Sequence, residues 1–291
     1  MQSRMEGYLY VLPCLLVLIL VLGFPILFVV WMGFNGVSLS LDFTWKGFAN
    51  YARVLQQKEF LIVLWNTILF SVSSVAFHLL VGIILALLLN RSFPARKLVR
   101  TIVLVPWMLS YVVGAITWRW IANGSYGILN EILVRIGLIR DYIPWLGQTS
   151  TAMPTLIVAN IWKQSPFVML MLLAGIQAIP LEQYEAAHLD GANAWSSFWY
   201  ITLPNLRRVV LITATLDFIW SFKQFDLIYV MTGGGPGIST EMLSTMVYKT
   251  FFNAMQFGPG AATAVLLTII VLALSFLYIL LMGKKVSDEV Y

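Results

Sequence analysis

Residues 61–89 have the sequence LIVLWNTILFSVSSVAFHLLVGIILALLL, a run of 29 positions without Asp, Glu, Lys or Arg. A helix needs about 20 apolar residues to cross the hydrocarbon layer of a membrane, so this run predicts a spanning helix that tilts or projects from the bilayer. Backbone polar groups in lipid must bond within their own segment, which makes a helix the expected form. The stretch therefore favours an all-α membrane protein.

The rest of the 291-residue chain is similarly apolar. Hydrophobic residues make up 60% of it and charged residues 11%, against about 25% charged in a soluble domain. So few charges exclude a water-soluble fold of this size. We interpret the first span as uncleaved because it is too long for the apolar core of a secretory signal. We expect a single transmembrane domain over 1–291, with six spans at 8–31, 61–89, 101–122, 154–176, 209–230 and 261–282.

Basic residues in the connecting segments predict the orientation. Segments on the first side are 1–7, 90–100, 177–208 and 283–291. Segments on the second side are 32–60, 123–153 and 231–260. The first side has nine Lys and Arg in 59 positions and the second has six in 90, so we expect the first side, with both termini, to be cytoplasmic. Topology accounts for the net charge of +5, and no basic patch indicates nucleic-acid binding.

The sequence has no pattern for catalysis or metal binding. It contains two histidines and one cysteine, Cys14, and lacks the HExxH spacing of a zinc enzyme. The run GGGPG at 233–237 lacks the Lys-Ser/Thr that follows the glycines of a nucleotide-binding loop. We interpret it as a flexible or tightly turned external loop. Energy for uphill transport must then come from another chain or from an ion gradient.

A short amphipathic helix is predicted on the outer surface. Its apolar positions recur at helical spacing: Ile128, Leu129, Ile132, Leu133 and Ile136. Asn130, Glu131 and Arg135 lie between them. This pattern favours a helix lying in the membrane interface over one that docks an external partner.

The longest cytoplasmic segment, 177–208, is patterned as a helix, a break and a second helix. Pro180 marks a start, and Glu182 and Glu185 lie near the positive end of the first helix dipole. Asp190–Gly191 ends that helix, because glycine permits a left-handed turn. Leu203–Pro204 is expected to end the second helix. The pattern alone favours equally a helix that inserts into a groove of another protein and one that caps the bundle at the interface.

The same segment resembles the EAA loop of the membrane subunits of ABC importers. The matching residues are Glu185, Ala186, Ala187, Gly191, Ile201, Leu203 and Pro204. Further similarity lies at Asn50–Tyr51, Asn66–Thr67, Trp162–Lys163, Pro166–Phe167 and from Phe225–Asp226 to Thr232–Pro236. These features are similar to the carbohydrate-uptake branch, in particular to the larger membrane component of maltose-type importers. That component has extra spans and a folded external insertion, whereas the first external loop of this chain is short.

The resemblance implies a mechanism and a set of partners. The loop would form a coupling helix seated in a cleft of a cytoplasmic ATPase, so that closure of two ATPases moves the membrane helices. Glu185 would make the charged contact, Ala186 and Ala187 the close packing, and Asp190–Gly191 the turn. The resemblance also implies a second six-span subunit, an ATPase dimer that holds ATP and magnesium, an extracytoplasmic sugar-binding protein and a bacterial or archaeal plasma membrane. This chain itself is expected to bind no cofactor.

Four charged residues lie within the fourth and fifth predicted spans: Lys163, Asp217, Lys223 and Asp226. Placing a charged side chain at the centre of a membrane-spanning helix costs roughly 2.5–3.5 kcal/mol on insertion scales, so each of them needs a partner or water. Pairing of the two cations with the two anions is favoured over direct contact with a ligand. His78 is interpreted, with Ser71, Ser73 and Ser74, as a member of hydrogen bonds between helices rather than as a proton relay.

Polar and aromatic residues in spans 4 and 5 nevertheless form a candidate substrate pathway. Amide and carboxylate groups can bond several hydroxyl groups, and aromatic faces can pack on pyranose rings. The candidate residues are Asn160, Trp162, Lys163, Gln164, Asp217, Trp220, Gln224 and Asp226. The alternative function is an ion-coupled secondary transporter in which Asp217 or Asp226 carries the proton or sodium ion. Inverted repeats would favour that alternative, and the sequence has none that we detect.

Overall fold

A computed structural model describes the backbone of residues 2–38, 40 and 42–287, and the side chains of those from 10 to 281. The extreme ends of the chain, residues 1 and 288–291, which the charge count assigns to the cytoplasm, lie outside the described residues. The side chains of Arg4, Lys284 and Lys285 also lie outside them.

The described chain is mostly helical. Its α-helices are α1 Gln2–Leu18, α2 Phe24–Gly33, α3 Ala49–Leu55, α4 Lys58–Asn90, α5 Arg96–Met108, α6 Tyr111–Ile121, α7 Ile128–Arg135, α8 Thr149–Gln177, α9 Leu181–Leu189, α10 Ala194–Ser197, α11 Leu203–Phe222, α12 Asp226–Met231, α13 Leu243–Tyr248 and α14 Phe257–Ser287. Single π-helical turns lie at Ile19–Gly23, Phe198–Thr202 and Lys249–Asn253. A small antiparallel sheet pairs β1 Asn35–Val37 with β2 Phe43–Trp45, with Gly36 opposite Thr44.

Four helical stretches among the described residues are long and apolar enough to cross a membrane, and a fifth qualifies if the bent pair α5–α6 is one span. The four are Tyr10–Gly33, Lys58–Asn90, Thr149–Gln177 and Phe257–Leu281. They coincide with the first, second, fourth and sixth predicted spans.

The third predicted span, 101–122, is not one straight helix. Helices α5 and α6 meet at an angle of 95°. The break lies at Leu109 and Ser110, which are both extended. The hydroxyl of Ser110 accepts a hydrogen bond from the backbone N–H of Val113 at 3.2 Å and so caps a new helix. A count of apolar residues misses the break because the polar signal is a single serine.

The fifth predicted span, 209–230, is likewise wrong as one helix. Helix α11 ends at Phe222, and α12 starts at Asp226. An acidic residue in a first turn stabilises a helix N-terminus, which favours a new start at Asp226. Helix α11 also carries Arg207, Arg208 and Asp217.

The expectation that Leu203–Pro204 stops a helix is wrong. The chain runs from α10 through the π-helical turn directly into α11, with Pro204 in the first turn of α11. Proline lacks the backbone N–H that an α-helix interior requires. The wider π-helical turn lies just before that missing donor, as it also does before Pro25 at the start of α2.

The chain divides into two compact units. The smaller unit consists of the chain up to Leu61 together with Met246–Ile270, and the larger consists of Ile62–Thr245 and the chain from Val271 onward. The larger unit contains two apolar clusters. One includes Phe70, Leu156 and Ile228, and the other includes Leu172, Ile176 and Leu206.

Candidate functional site

A cleft of about 420 Å³ lies in the larger unit at the breaks between α5 and α6 and between α11 and α12. Its lining residues are Trp107, Tyr111, Gln164, Trp220, Lys223, Gln224, Phe225 and Asp226. Non-helical backbone at membrane depth is tolerated where it is buried in protein or lines a cavity. Both breaks are therefore located where that rule expects them.

Hydrogen bonds fix the walls of the cleft. The Tyr111 hydroxyl donates to Gln164 Oε1 at 3.0 Å, which joins α6 to α8. The Ser244 hydroxyl donates to the carbonyl of Gln224 at 2.6 Å, in the break after α11. The amide nitrogens Gln164 Nε2 and Gln224 Nε2 are buried and have no protein partner. Two lining residues of the cleft therefore each have an amide donor without a partner among the described residues.

The remaining lining suits a ligand with both apolar faces and hydroxyl groups. Phe167 packs against Trp220 with 4.9 Å between ring centroids and against Trp107 with 5.7 Å, which fixes two of the aromatic walls. Lys223 and Asp226 are exposed and supply one positive and one negative group. Aromatic faces with amides and separated charges bind rings that carry several hydroxyls.

The structure divides the eight predicted pathway residues into two groups. Gln164, Trp220, Gln224 and Asp226 line the cleft. The others do not line it: Asn160, Trp162, Lys163 and Asp217. Trp162 packs edge-to-face on Trp118 at 6.2 Å, and the remaining three are buried. Their positions on α8 and α11 place these four side chains against neighbouring helices rather than in the cleft. Residue type alone does not reveal this difference.

Four lining residues are absent from the predicted set. Trp107 and Tyr111 belong to the third span, which we did not expect to be broken. Lys223 and Phe225 lie in the second break. Polar or proline residues flanked by aromatics, as in Pro106–Trp107 and Ser110–Tyr111, are the sequence signal that could have indicated them.

The expected pairing of the four charged residues does not occur. Lys163 Nζ donates to the carbonyl of Trp107 at 2.9 Å and lies 4.6 Å from the centre of the Tyr111 ring. It is thus stabilised by a carbonyl and a cation–π contact rather than by a carboxylate. Asp217 instead contacts His78.

His78 and Asp217 form a fully buried contact between α4 and α11. The distance from His78 Nδ1 to Asp217 Oδ2 is 2.8 Å, and both side chains have 0% exposure. The interpretation of His78 as an interhelical hydrogen-bonding group is confirmed. Ser71 behaves differently, because its hydroxyl donates to the carbonyl of Thr67 in its own helix at 2.6 Å.

The segment 180–204 contains a second candidate site. Pro180 precedes α9, and the backbone of Gly191 has φ +83° just after its end. Ala192 N–H donates to the carbonyl of Ala187 at 2.8 Å, which closes the turn. Glu185, Ala186, Asp190 and Gly191 are exposed, and Leu189 is 89% exposed.

Side-chain contacts connect α9 to the start of α11. The hydroxyls of Tyr184 and Thr202 are 2.9 Å apart, and Thr202 is buried. Asn205 Nδ2 donates to Gln183 Oε1 at 3.0 Å. These two contacts therefore join α9 to the start of α11, the helix that carries Trp220 at its far end.

Helix α7 lies where the amphipathic pattern predicts it. Ile128, Ile132 and Ile136 are exposed, so the part of the chain that the structure describes leaves this side of the apolar face largely open. Asn130 is buried and accepts hydrogen bonds from Ile143 N at 3.1 Å and Trp145 Nε1 at 2.8 Å. Hydrogen bonds from Tyr142 and Arg135 lower the pKa of the Glu131 carboxyl.

The glycine run 233–237 is tightly turned. Thr240 is fully buried, and its hydroxyl donates to the carbonyl of Gly235 at 2.7 Å. The backbone N–H of Gly234 donates to the hydroxyl of Thr232 at 3.2 Å. The sequence left open whether this loop is flexible or tightly turned, and the structure has the tight turn.

Comparisons with known proteins agree with this architecture. A family model described as "binding-protein-dependent transport system inner membrane component" matches residues 78–284. The trehalose/maltose transport system permease protein MalF of Thermococcus litoralis is 37% identical over 274 residues, which cover 94% of this chain and 92% of that protein. The diacetylchitobiose uptake system permease protein DasB of Streptomyces coelicolor is 34% identical over 294 residues, which cover 99% of this chain and 89% of that protein. A crystal structure of a bacterial ABC transporter involved in import of the acidic polysaccharide alginate superposes with a TM-score of 0.84 at 25% identity, covering 97% of this chain and 96% of that one.

Proposed function

Because this chain belongs to the family of binding-protein-dependent transport system inner membrane components, we propose that it forms half of the translocation pathway of an ATP-driven sugar importer. The proposed location is the plasma membrane of a bacterium or archaeon. The observation that carries the sugar assignment is the cleft at the two helix breaks. It combines aromatic walls with two buried amide donors that have no protein partner.

The proposed importer needs further chains. A second six-span permease subunit would complete the pathway, and an extracytoplasmic sugar-binding protein would deliver the substrate. A dimer of cytoplasmic ATPases would bind ATP and magnesium and perform the hydrolysis. The proposed role of this chain is non-catalytic.

The exposed surface of α9 and the turn after it is the proposed contact with the ATPase. Glu185 would supply a charge to that contact, while Ala186 and Ala187 would allow close packing. Ile201, Leu203 and Pro204 lie in the continuous helix that follows. The contacts of Tyr184 with Thr202 and of Asn205 with Gln183 support this role, because they tie α9 to α11.

Ion-coupled secondary transport is the competing function. It would use Asp217 or Asp226 as the ion-binding carboxylate. Asp217 is engaged by His78, whereas Asp226 is an exposed residue of the cleft. Neither arrangement requires an ion.

Reconstitution distinguishes the two functions. The chain is assembled in vesicles with the permease, the ATPase and the binding protein encoded beside it, and accumulation of radiolabelled sugar is measured. We expect accumulation to require internal ATP and all four components, and to persist when proton and sodium gradients are abolished. Accumulation by this chain alone on an ion gradient would overturn the proposal.

Substitutions in the cleft test its proposed role in sugar transport. We expect Trp220→Ala and Gln224→Ala each to lower sugar uptake by about tenfold or more at limiting sugar-loaded binding protein, because one removes an aromatic wall and the other a buried donor. Uptake and ATP hydrolysis are measured on the same preparations. Trp120→Ala is the matched control, since Trp120 is 67% exposed and does not line the cleft. Equal uptake by the Trp220 and Trp120 variants would exclude the cleft from the pathway.

A further inference from the structure

The smaller unit contains a second cavity, of about 350 Å³, between the β-hairpin and the start of α14. Its charged lining residues are Asp42, Lys46 and Arg53. We call it the hairpin groove. We propose that the hairpin groove is a docking surface for the extracytoplasmic binding protein and that it receives an acidic side chain of that protein. This inference rests on the function proposed above, which supplies the partner and assigns the hairpin to the outer side.

The groove is held in shape before any partner arrives. Asn50 is buried, and its Nδ2 donates to the carbonyl of Asn35 at 2.8 Å and to that of Gly33 at 3.0 Å. Lys46 N–H donates to the carbonyl of Phe34 at 2.9 Å. These bonds fix both strands of the hairpin to α2 and α3. A rigid surface loses little conformational entropy on binding.

The groove has a net positive charge, because its lining holds two cations, Lys46 and Arg53, and one carboxylate, Asp42. Within the residues that the structure describes, neither Lys46 nor Arg53 has a carboxylate at ion-pair distance. Asp42 Oδ2 accepts hydrogen bonds from the hydroxyls of Ser40 at 2.9 Å and Ser38 at 3.3 Å. The one carboxylate of the groove is thus occupied by hydroxyls, and the two cations remain available for a partner.

Gly36 fixes the path of the Lys46 side chain. A Cβ at Gly36 would lie 2.5 Å from Lys46 Cε and 2.8 Å from Thr44 Oγ1. The lysine stem therefore crosses the strand where only a glycine leaves room for it. Lys46 is otherwise exposed, so its ammonium group is accessible to a partner.

Exposed aromatic residues adjoin the groove. Trp45 is 71% exposed and Phe48 is 74% exposed. Both pack on Phe34, whose ring centroid lies 5.7 Å from that of Trp45 and 5.2 Å from that of Phe48. This packing fixes the positions of the two exposed rings. Trp and Arg are the residues that most often dominate the affinity of a protein interface.

A protein is the occupant that these features favour. The family depends on a binding protein, which must contact external segments of its permease. An acidic side chain complements two unpaired cations, and Ser38 and Thr44 add hydroxyls at the rim. Anionic lipid is the competing occupant, because aromatic and basic residues also gather at membrane interfaces.

The test measures binding of the sugar-loaded binding protein encoded beside this chain to the complete transporter in lipid nanodiscs. We expect Lys46→Glu and Arg53→Glu each to weaken binding about tenfold at low salt and to reduce its salt dependence. Gly36→Ala should weaken binding in the same direction, since it displaces Lys46 without changing any charge. Lys58→Glu is the matched control, because it makes the same charge change outside the groove and should bind like the wild type.

Each outcome decides something different. Binding of the Lys46 and Arg53 variants that equals that of the Lys58 variant overturns the groove proposal and leaves the importer function intact. No binding by the wild-type transporter contradicts the proposed function itself. Binding that is unchanged in the variants, with ATP hydrolysis in phosphatidylcholine nanodiscs that responds to added phosphatidylglycerol in the wild type but not in the variants, assigns the groove to lipid and also overturns the proposal. Recovery of each variant as an assembled complex in wild-type yield excludes misfolding.

Discussion

Replacement of Gly191 by proline should separate ATP hydrolysis from sugar transport. Proline holds φ near −65°, whereas Gly191 has φ +83°. The substitution also removes the Gly191 N–H, which donates to the carbonyl of His188 at 3.1 Å. The turn after α9 would therefore re-form in another geometry and change the direction in which α9 meets its partner. A coupling loss of only about 1.4 kcal/mol is a tenfold effect. We expect sugar uptake to fall at least about tenfold while the complex still hydrolyses ATP.

Gly137→Pro is the matched control for that experiment. Gly137 follows α7 with φ +76°, and its N–H donates to the carbonyl of Val134 at 3.0 Å, so the backbone change is the same. It lies in the segment assigned to the outer surface. We expect this variant to transport sugar with its usual ratio to ATP hydrolysis. Normal uptake by the Gly191 variant would contradict a coupling role for the turn.

Removal of one partner of the buried pair between α4 and α11 should have the largest effect on stability. His78→Leu leaves the Asp217 carboxylate at 0% exposure without its 2.8 Å contact. A buried polar group left without its hydrogen-bond partner costs about 1–3 kcal/mol, and more if that group is charged. We expect the complex purified in detergent to lose its size-exclusion peak at a markedly lower temperature than the wild type.

The double variant His78→Leu/Asp217→Leu provides the control. Replacing both members by apolar residues leaves no buried polar group without its partner, and such replacements can be nearly neutral or stabilising. The double variant should therefore be more stable than His78→Leu. If the losses of the two single variants simply add in the double variant, the two side chains are not energetically coupled.

Hydropathy alone was sufficient to predict those spans that consist of one long helix. Helices α4, α8 and α14 lie where their apolar runs predict them, since a long run of apolar residues has few alternatives in lipid. The breaks in the third and fifth spans escaped prediction. Each depends on a few residues, Ser110 in one case and Lys223–Phe225 in the other, whose polarity is outweighed by their apolar neighbours.

The cleft was only half predictable for a related reason. Polar residue type indicated Gln164 and Gln224, but it could not separate them from Asn160 or Lys163 on the same helix α8 as Gln164. That separation depends on which face of α8 meets another helix, and so on packing between distant segments. Trp107 and Tyr111 became visible only once α5 and α6 were known to meet at 95°.

The π-helical turn at Phe198–Thr202 has a mechanical consequence for the helix that follows it. Such a turn amounts to one extra residue, and each residue of an α-helix advances the azimuth of the next by about 100°. Because the wide turn absorbs that residue, deleting one residue there would restore an ordinary α-turn and leave α10 and the face of α11 with Asp217 and Trp220 nearly in phase. The turn thus allows the chain to carry one more residue between α10 and α11 without changing which way the two helices face.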